Sequence, residues 1–363
     1  MAKAFPQEEK PRAVLAGLSM PARVENSTEA TLQELAALLD TAGGVCAATM
    51  LQKRDAPDAK TFFGGGKTAE LAAACESLDA ALLIVDHELS PSQARSLEDA
   101  AGVRVLDRSQ LIMDIFAGRA QTREGRVQVE LAQLRYLLPR LSGRGTSMSR
   151  LGGGIGTRGP GETQLETDRR HIRRRISTLE AELAQIRRTR DTQRKSRVKS
   201  RVPHVALVGY TNAGKSTLLG ALARAEVSTG DRLFDTLDPI TRRWRINEDV
   251  TVLLSDTVGF IRKLPHHLID AFRATLEELR YADLILHVID LSAPAWEEQA
   301  EVVERLVNDL DVRVPVLRVY NKCDKGTDSA PPSREAAVSV SARTGEGLDA
   351  LRASVLSLLT ERI

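Results

Sequence analysis

Residues 204 to 217 read His-Val-Ala-Leu-Val-Gly-Tyr-Thr-Asn-Ala-Gly-Lys-Ser-Thr. The apolar run before the first glycine is typical of a buried strand, and a helix is predicted from the lysine onward. Between them, Gly209 to Ser216 has the phosphate-loop pattern G-x-x-x-x-G-K-S. In such a loop, consecutive backbone N–H groups and the helix N-terminus surround a phosphate. A chance glycine turn explains this stretch poorly, because strand, loop and helix follow in register.

The loop predicts specific contacts with a bound nucleotide. Lys215 is expected to bridge the β- and γ-phosphates, and the Ser216 hydroxyl is expected to bind Mg²⁺, which prefers oxygen ligands shared with phosphate. The expected phosphate-binding residues are Gly209, Tyr210, Thr211, Asn212, Ala213, Gly214, Lys215, Ser216 and Thr217.

Four further motifs follow in the order expected of a GTPase. They lie at Thr236, at Asp256 to Gly259, at Asn321 to Asp324 and at Ser341-Ala342. Thr236 occupies the first switch and can offer its hydroxyl to Mg²⁺, while Asp256 ends an apolar strand and supports the same ion. Asp324, in Asn-Lys-Cys-Asp, presents two oxygens to the two adjacent N–H donors of guanine, which adenine lacks. The additional nucleotide-binding residues expected are Phe234, Asp256, Thr257, Val258, Gly259, Asn321, Lys322, Asp324, Ser341, Ala342 and Arg343.

These motifs also predict the metal site and the catalytic residues. We expect Mg²⁺ to be held by Ser216, Thr236 and Asp256, and catalysis to depend on Lys215, Thr236 and Gly259. Many GTPases have a water-orienting glutamine after that glycine, whereas this chain has Phe260. We therefore expect slow hydrolysis of GTP to GDP without a partner or an ion, and Asn212 is a candidate ligand for K⁺.

Composition indicates an ordinary globular chain. With 363 residues and 42% hydrophobic content, two or three domains are expected. The three cysteines are far apart, which argues against disulfides and a zinc site. No apolar run is long enough to cross a bilayer. We expect a cytoplasmic monomer, with at most a peripheral association with membranes.

Charge divides the chain into three parts, which we take as domains. Residues 1–124 carry a net charge of −5, residues 125–202 carry +12 and residues 203–363 carry −5. A basic middle between two acidic ends suggests one segment that contacts a polyanion.

The first part predicts a small parallel sheet covered by helices, because short apolar runs alternate with helical patterns from residue 12 to 117. Phe63 to Thr68 resembles a second phosphate loop. No apolar strand leads into it, so a glycine turn capped at Thr68 before a helix is favoured. His87 beside Asp86 is expected to be a surface pair.

The middle part predicts an antiparallel helical hairpin. Apolar residues recur at spacings of three and four from Val127 to Leu141 and again from Ile172 to Ile186. A glycine-rich segment, Ser142 to Gly161, connects them, and residues 195–203 are expected to form a joint to the third part. The alternatives are a solvated charged face and a flexible hairpin tip. We favour RNA contact through Arg144, Arg150, Arg158, Arg173, Arg174 and Arg175.

Three stretches resemble the bacterial HflX GTPases of the Obg/HflX group: Gly209 to Ser216, Asp256 to Arg262 and above all Gly153 to Arg170. The resemblance runs from about Arg12 to the C-terminus. It implies an α/β fold with an N-terminal subdomain, a helical arm and a C-terminal P-loop GTPase domain.

The same resemblance implies a function. It implies binding to rRNA of the large ribosomal subunit, an arm tip directed towards the peptidyl transferase centre, and splitting of stalled ribosomes under stress. Members are also reported to hydrolyse ATP and remodel RNA. The chain departs from the family at Gly64 to Gly66 and in ending soon after the last GTPase helix. Two other functions stay open: a GTPase of ribosome assembly or RNA modification, and a signalling switch that binds only proteins.

Overall fold

The structure is a computed structural model of the 363-residue chain. It describes residues 10–21, 28–141, 160–199, 202–224, 233–237, 240–264, 268, 277–310, 312–326 and 337–360, with side chains of the helix 160–199 described from 166 to 189. The chain forms two compact units, one of residues 1–118 and 133–176, the other of residues 119–132 and 177–363. The predicted division at residues 124 and 202 stays a prediction.

The first unit contains a parallel sheet of four strands in the order β2-β1-β3-β4. Its elements are β1 (Arg12–Ser19), α1 (Glu29–Thr41), β2 (Val45–Lys53), α2 (Gly65–Ser77), β3 (Leu82–Val85), α3 (Pro91–Ala101), β4 (Arg104–Asp107) and α4 (Arg108–Arg119). The central strand β1 is apolar and buried from Ala13 to Leu18, so the helices must cover both faces of the sheet. The predicted α/β subdomain is confirmed.

Two local predictions in this unit are wrong. Gly64, not Thr68, is the N-cap of α2, and the Thr68 hydroxyl instead donates to the Gly64 carbonyl at 3.2 Å inside the first turn. Asp86 and His87 are buried rather than on the surface. Asp86 accepts hydrogen bonds of 2.8 Å from both Arg108 and Thr31, which satisfy the buried carboxylate.

The helical region consists of α5 (Arg123–Arg140) and α6 (Pro160–Lys199). Of the predicted apolar positions of α6, Leu179 and Leu183 are buried and the three isoleucines are partly buried, while most residues between them are exposed. A joint at 195–203 was predicted, but α6 continues to Lys199, because the arginine and lysine residues that dominate this stretch are good helix formers.

The remainder of the second unit is built on a six-stranded sheet in the order β10-β9-β8-β5-β7-β6. Its elements are β5 (His204–Gly209), α7 (Lys215–Ala223), β6 (Ile240–Arg245), β7 (Thr251–Asp256), β8 (Leu284–Asp290), α8 (Trp296–Asp309), β9 (Val316–Asn321), β10 (Ala337–Ser339) and α9 (Leu348–Thr360). All neighbouring strands pair in parallel except β6 and β7. The carboxyl ends of β5, β7, β8 and β9 therefore meet at one edge, where open α/β sheets bind ligands.

The charged edge strand β6 was not predicted. Only Trp244 of β6 is buried, and it packs into the core beside Val252 and Leu254 of β7. No helix of the described residues is both long and apolar enough to cross a membrane.

Candidate nucleotide-binding site

The phosphate loop follows β5 at the carboxyl edge of the six-stranded sheet. A Cβ atom on Gly209 would lie 2.3 Å from the Val288 carbonyl oxygen, so only glycine allows β5 and β8 to approach at this point. Gly214 has a φ of +89° and is the N-cap of α7. These two positions let the chain curl from strand to helix, which leaves the N-terminus of α7 facing the loop.

Lys215 is buried within the loop. Its Nζ donates to the carbonyl oxygens of Gly209 at 3.0 Å and Tyr210 at 2.9 Å. Burial lowers the pKa of Lys215 to about 8, and the Asp256 carboxylate opposes that shift. A phosphate bound in the loop would give this ammonium group a further negatively charged partner.

Three oxygen-bearing side chains converge beside the loop. The Ser216 hydroxyl donates to Asp256 Oδ2 at 2.6 Å and lies 2.7 Å from Thr236 Oγ1. Asp256 Oδ1 is buried and has no hydrogen-bond partner in the described part of the chain. Burial raises the pKa of Asp256, although Lys215 and Ser216 lower it. Two hydroxyls and an unsatisfied carboxylate oxygen fit Mg²⁺, which prefers oxygen ligands.

The segment after β7 lies against the phosphate loop. Thr211 N donates to the Phe260 carbonyl at 2.7 Å, and Phe260 N donates to the Gly209 carbonyl at 3.2 Å. The Phe260 side chain is 2% exposed and has no hydrogen-bonding group that could orient a water molecule in the cleft. This burial agrees with the expectation that Phe260 does not replace the water-orienting glutamine.

Asn321 connects the phosphate loop to the predicted base-binding segment. Its Nδ2 donates to the Ala213 carbonyl at 2.8 Å, and its Oδ1 accepts from Ala342 N at 3.0 Å. Asp324 is exposed, and a hydrogen bond from Ser341 lowers its pKa, so the carboxylate stays ionised at neutral pH. An ionised acceptor of this kind is what guanine recognition requires.

The structure also identifies residues that the sequence did not. Asp290, the last residue of β8, accepts from Lys322 Nζ at 2.7 Å, and the same Nζ donates to the Asn212 carbonyl at 2.9 Å. Arg119 Nη1 lies 3.5 Å from the carboxylate of Asp235, the neighbour of Thr236. Asp290 could have been found as a polar residue ending a buried strand, whereas Arg119 carries no motif.

An open cleft lies at this edge of the sheet. It brings together most of the predicted phosphate and metal residues. The lining residues are Thr211, Asn212, Gly214, Lys215, Ser216, Thr217, Phe234, Asp235, Thr236 and Gly259. Asp324, Ser341, Ala342 and Arg343 lie outside this lining, and Ala342 is linked to the phosphate loop through Asn321.

The predicted RNA-binding arginines divide into two groups. Arg173, Arg174 and Arg175 are exposed on α6, and Arg173 lies 3.5 Å from the Glu166 carboxylate. Arg144, Arg150 and Arg158 lie outside the described residues, as do residues 142–159 of the glycine-rich segment.

Three family models match the chain in sequence. Residues 29–117 match the N-terminal region of GTP-binding GTPases, residues 119–197 match their middle region, and residues 204–322 match a model described as a 50S ribosome-binding GTPase.

Curated relatives match nearly the whole chain. "GTPase HflX" of Caldanaerobacter subterraneus subsp. tengcongensis is 49% identical over 94% of this chain and 79% of its own length. "GTPase HflX" of Escherichia coli K12 is 46% identical over 92% of this chain and 79% of its own length.

A solved structure has the same fold. The crystal structure of SsGBP in complex with GDP aligns with a TM-score of 0.52 at 24% identity, over 96% of this chain and 99% of that one.

Proposed function

The chain belongs to the HflX family of GTP-hydrolysing enzymes, and from this we propose that it binds the large (50S) ribosomal subunit and splits or rescues stalled ribosomes under stress. The observation that carries the proposal is the match of residues 204–322 to a 50S ribosome-binding GTPase model. The net charge of +12 on residues 125–202 supports it, since rRNA is a polyanion. We also propose that the protein is cytoplasmic and acts as a monomer.

We assign GTP binding to the cleft at the carboxyl edge of the six-stranded sheet. Lys215 supplies the ammonium group for the β- and γ-phosphates, Asp324 selects guanine, and Gly259 offers its backbone N–H to the γ-phosphate. Ser216, Thr236 and Asp256 would hold Mg²⁺. When bound, that ion neutralises charge on the phosphate oxygens.

Hydrolysis by the chain alone is proposed to be slow. An attacking water needs a group to orient it, and the buried Phe260 cannot supply one. We propose that the ribosome completes the site and that K⁺ near Asn212 acts as a second, weaker activator. Asn212 is exposed at the mouth of the cleft, where an ion ligand would have to lie.

RNA contact is assigned to the helical arm, residues 125–202. Arg173, Arg174 and Arg175 are consecutive, and successive helix positions differ by 100°, so they spread over a wide arc of α6. All three side chains are exposed. This arrangement suits contact with several phosphates of a folded RNA better than one specific ion pair.

Two other functions predict different results. A GTPase of ribosome assembly or RNA modification would bind subunits without separating 70S particles. A protein-only signalling switch would bind neither subunit, and the basic middle part would then lack a partner.

Co-sedimentation tests the proposal. The full chain is centrifuged with 30S, 50S or 70S particles in GDP or in a non-hydrolysable GTP analogue. We expect binding to 50S with the analogue, weaker binding with GDP, and 70S particles converted into free subunits. Binding to 50S without loss of 70S would favour the assembly function, and no binding to either subunit would refute the proposal.

A further inference from the structure

Tyr210 occupies an x position of the phosphate-loop pattern, where the chemistry of phosphate binding does not require any particular side chain. In this protein the side chain is 5% exposed, and its hydroxyl accepts a hydrogen bond of 2.8 Å from the Arg262 backbone N–H. Its carbonyl oxygen accepts from Lys215 Nζ at 2.9 Å. Tyr210 therefore contacts the phosphate-binding lysine and the segment after β7 at the same time.

The Tyr210 hydroxyl adds to two backbone hydrogen bonds on that segment. Thr211 N donates to the Phe260 carbonyl, Phe260 N donates to the Gly209 carbonyl, and Tyr210 and Phe260 form an isolated parallel bridge. These bonds hold the residues immediately after Gly259. The hydroxyl extends the attachment two residues further along the chain, to Arg262.

Gly259 is held closely between these attachments. A Cβ atom at this position would lie 2.9 Å from Thr211 Cα and 3.3 Å from Lys215 Nζ. Glycine is thus needed for close contact with the loop, and this residue lies beside the lysine that would bind the γ-phosphate. The segment 259–262 and the phosphate loop form one hydrogen-bonded piece.

We propose that Tyr210 is a positioning residue for GTP hydrolysis, which holds Gly259 to Arg262 on the phosphate loop so that the Gly259 N–H is preset for the γ-phosphate. The proposal rests on the role assigned to Gly259 above. A preset donor stabilises the transition state without reorganisation during the reaction, which is the main benefit of an ordered site. The Gly259 N–H contacts only the γ-phosphate, which GDP lacks. GDP binding should therefore not depend on the Tyr210 hydroxyl.

The test variant is Tyr210→Phe, which keeps the ring and its packing and removes only the hydroxyl. We expect kcat for GTP to fall about tenfold and affinity for a non-hydrolysable GTP analogue to fall severalfold, with GDP affinity within about twofold of wild type. Hydrogen exchange of the peptide covering residues 259–264 should become faster, because the Arg262 N–H loses its acceptor.

Tyr320→Phe is the matched control. Tyr320 is also a buried tyrosine of the second unit, and it packs edge-on against Trp296 at a ring-centroid distance of 5.8 Å. We expect wild-type kcat and wild-type exchange of residues 259–264. A fall in melting temperature shared by both variants would measure the general effect of removing a buried hydroxyl.

Two outcomes would overturn the proposal. Wild-type kcat and analogue affinity in Tyr210→Phe would refute it, and so would a lower melting temperature with unchanged kcat, which would make the hydroxyl a purely structural group. Failure of the assigned GTP site would differ, because wild-type protein and Tyr210→Phe alike would then bind the analogue no better after Mg²⁺ is added.

Discussion

Asn321 donates a hydrogen bond of 2.8 Å to the carbonyl of Ala213, a residue 108 positions earlier in the chain. The same side chain accepts from Ala342 N, so one buried amide holds the phosphate loop and the base-binding segment together. Asn321 therefore links the two segments that are proposed to bind the phosphates and the base.

We predict that Asn321→Ala weakens GDP and GTP binding alike, by about tenfold or more. The variant leaves two buried backbone groups without partners, at roughly 1–3 kcal/mol each, and lets the two segments separate. Titration with fluorescent GDP and a GTP analogue measures the loss. Asn308→Ala, an exposed position on α8, is the control, and equal affinities for wild type and Asn321→Ala would contradict the assignment.

Asp324→Asn should shift preference from guanine towards xanthine nucleotides. The carboxylate accepts from two guanine donors, whereas an amide complements the carbonyl that xanthine has in place of the amino group. Competition of GTP, XTP and ATP for the site measures the change, with Asp309→Asn at the exposed end of α8 as control. Wild-type protein that bound ATP as tightly as GTP would show that Asp324 does not select the base.

The pKa of Lys215 predicts a pH dependence of nucleotide binding. Burial lowers this pKa from 10.5 to about 8, so the free protein loses the lysine charge as pH rises through about 8, while bound phosphate raises the pKa again. Binding at pH 9 should therefore take up protons, and affinity should fall up to tenfold per pH unit above 8. Calorimetry at pH 9 in buffers of different ionisation enthalpy measures the uptake; zero uptake would contradict the prediction.

The lowered pKa of Lys215 also makes the free energy of unfolding depend on pH. The unfolded chain binds the lysine proton up to its ordinary pKa of 10.5, whereas the folded chain releases it near 8. Between these values the unfolded state binds more protons, so Lys215 makes the free protein more stable as pH rises. Saturating GDP should reduce this contribution.

Asn212 is predicted to support activation by K⁺. Its φ of +61° is strained for alanine, so Asn212→Gly removes the side chain with less disturbance of the loop. Turnover is measured in matched KCl and NaCl, with and without 50S subunits. We expect faster turnover in KCl for wild type, no salt preference in the variant, and unchanged GDP affinity. Equal wild-type rates in both salts under both conditions would eliminate the ion.

Replacing Arg173, Arg174 and Arg175 by glutamate should weaken 50S binding and flatten its salt dependence. Each lost phosphate contact removes roughly 0.7–0.9 from the slope of log affinity against log salt, so three contacts remove about two. Nucleotide affinity should not change.

A control with the same charge change comes from β6. Arg242, Arg243 and Arg245 are exposed on this edge strand, and their replacement by glutamate should leave the salt slope near that of wild type. The opposite result would be a flatter salt dependence of 50S binding in the β6 variant and a wild-type salt dependence in the α6 variant. The RNA-binding surface would then lie on the GTPase domain and not on the arm.

Local sequence signals were enough to predict the main architecture and to select many residues that line one cleft. The stretch from Gly209 to Ser216 specifies a strand, a loop and a helix by its own spacing. Strand-end motifs such as Asp256 and Asn321 must meet at one edge once the strands are parallel. Hydrophobic periodicity likewise predicted the strands of the first sheet and the apolar face of α6, because a buried face repeats with the period of its element.

Tertiary structure decided the features that depend on distant partners. Asp86 was predicted to lie on the surface, but Arg108 of α4 and Thr31 of α1 donate hydrogen bonds to it in the interior. The charged strand β6 forms because β7 supplies its hydrogen bonds and the core takes its single tryptophan. The Tyr210 hydroxyl acquires its role from Arg262, 52 positions away. No local pattern encodes such pairs, since each contact exists only after the chain has folded.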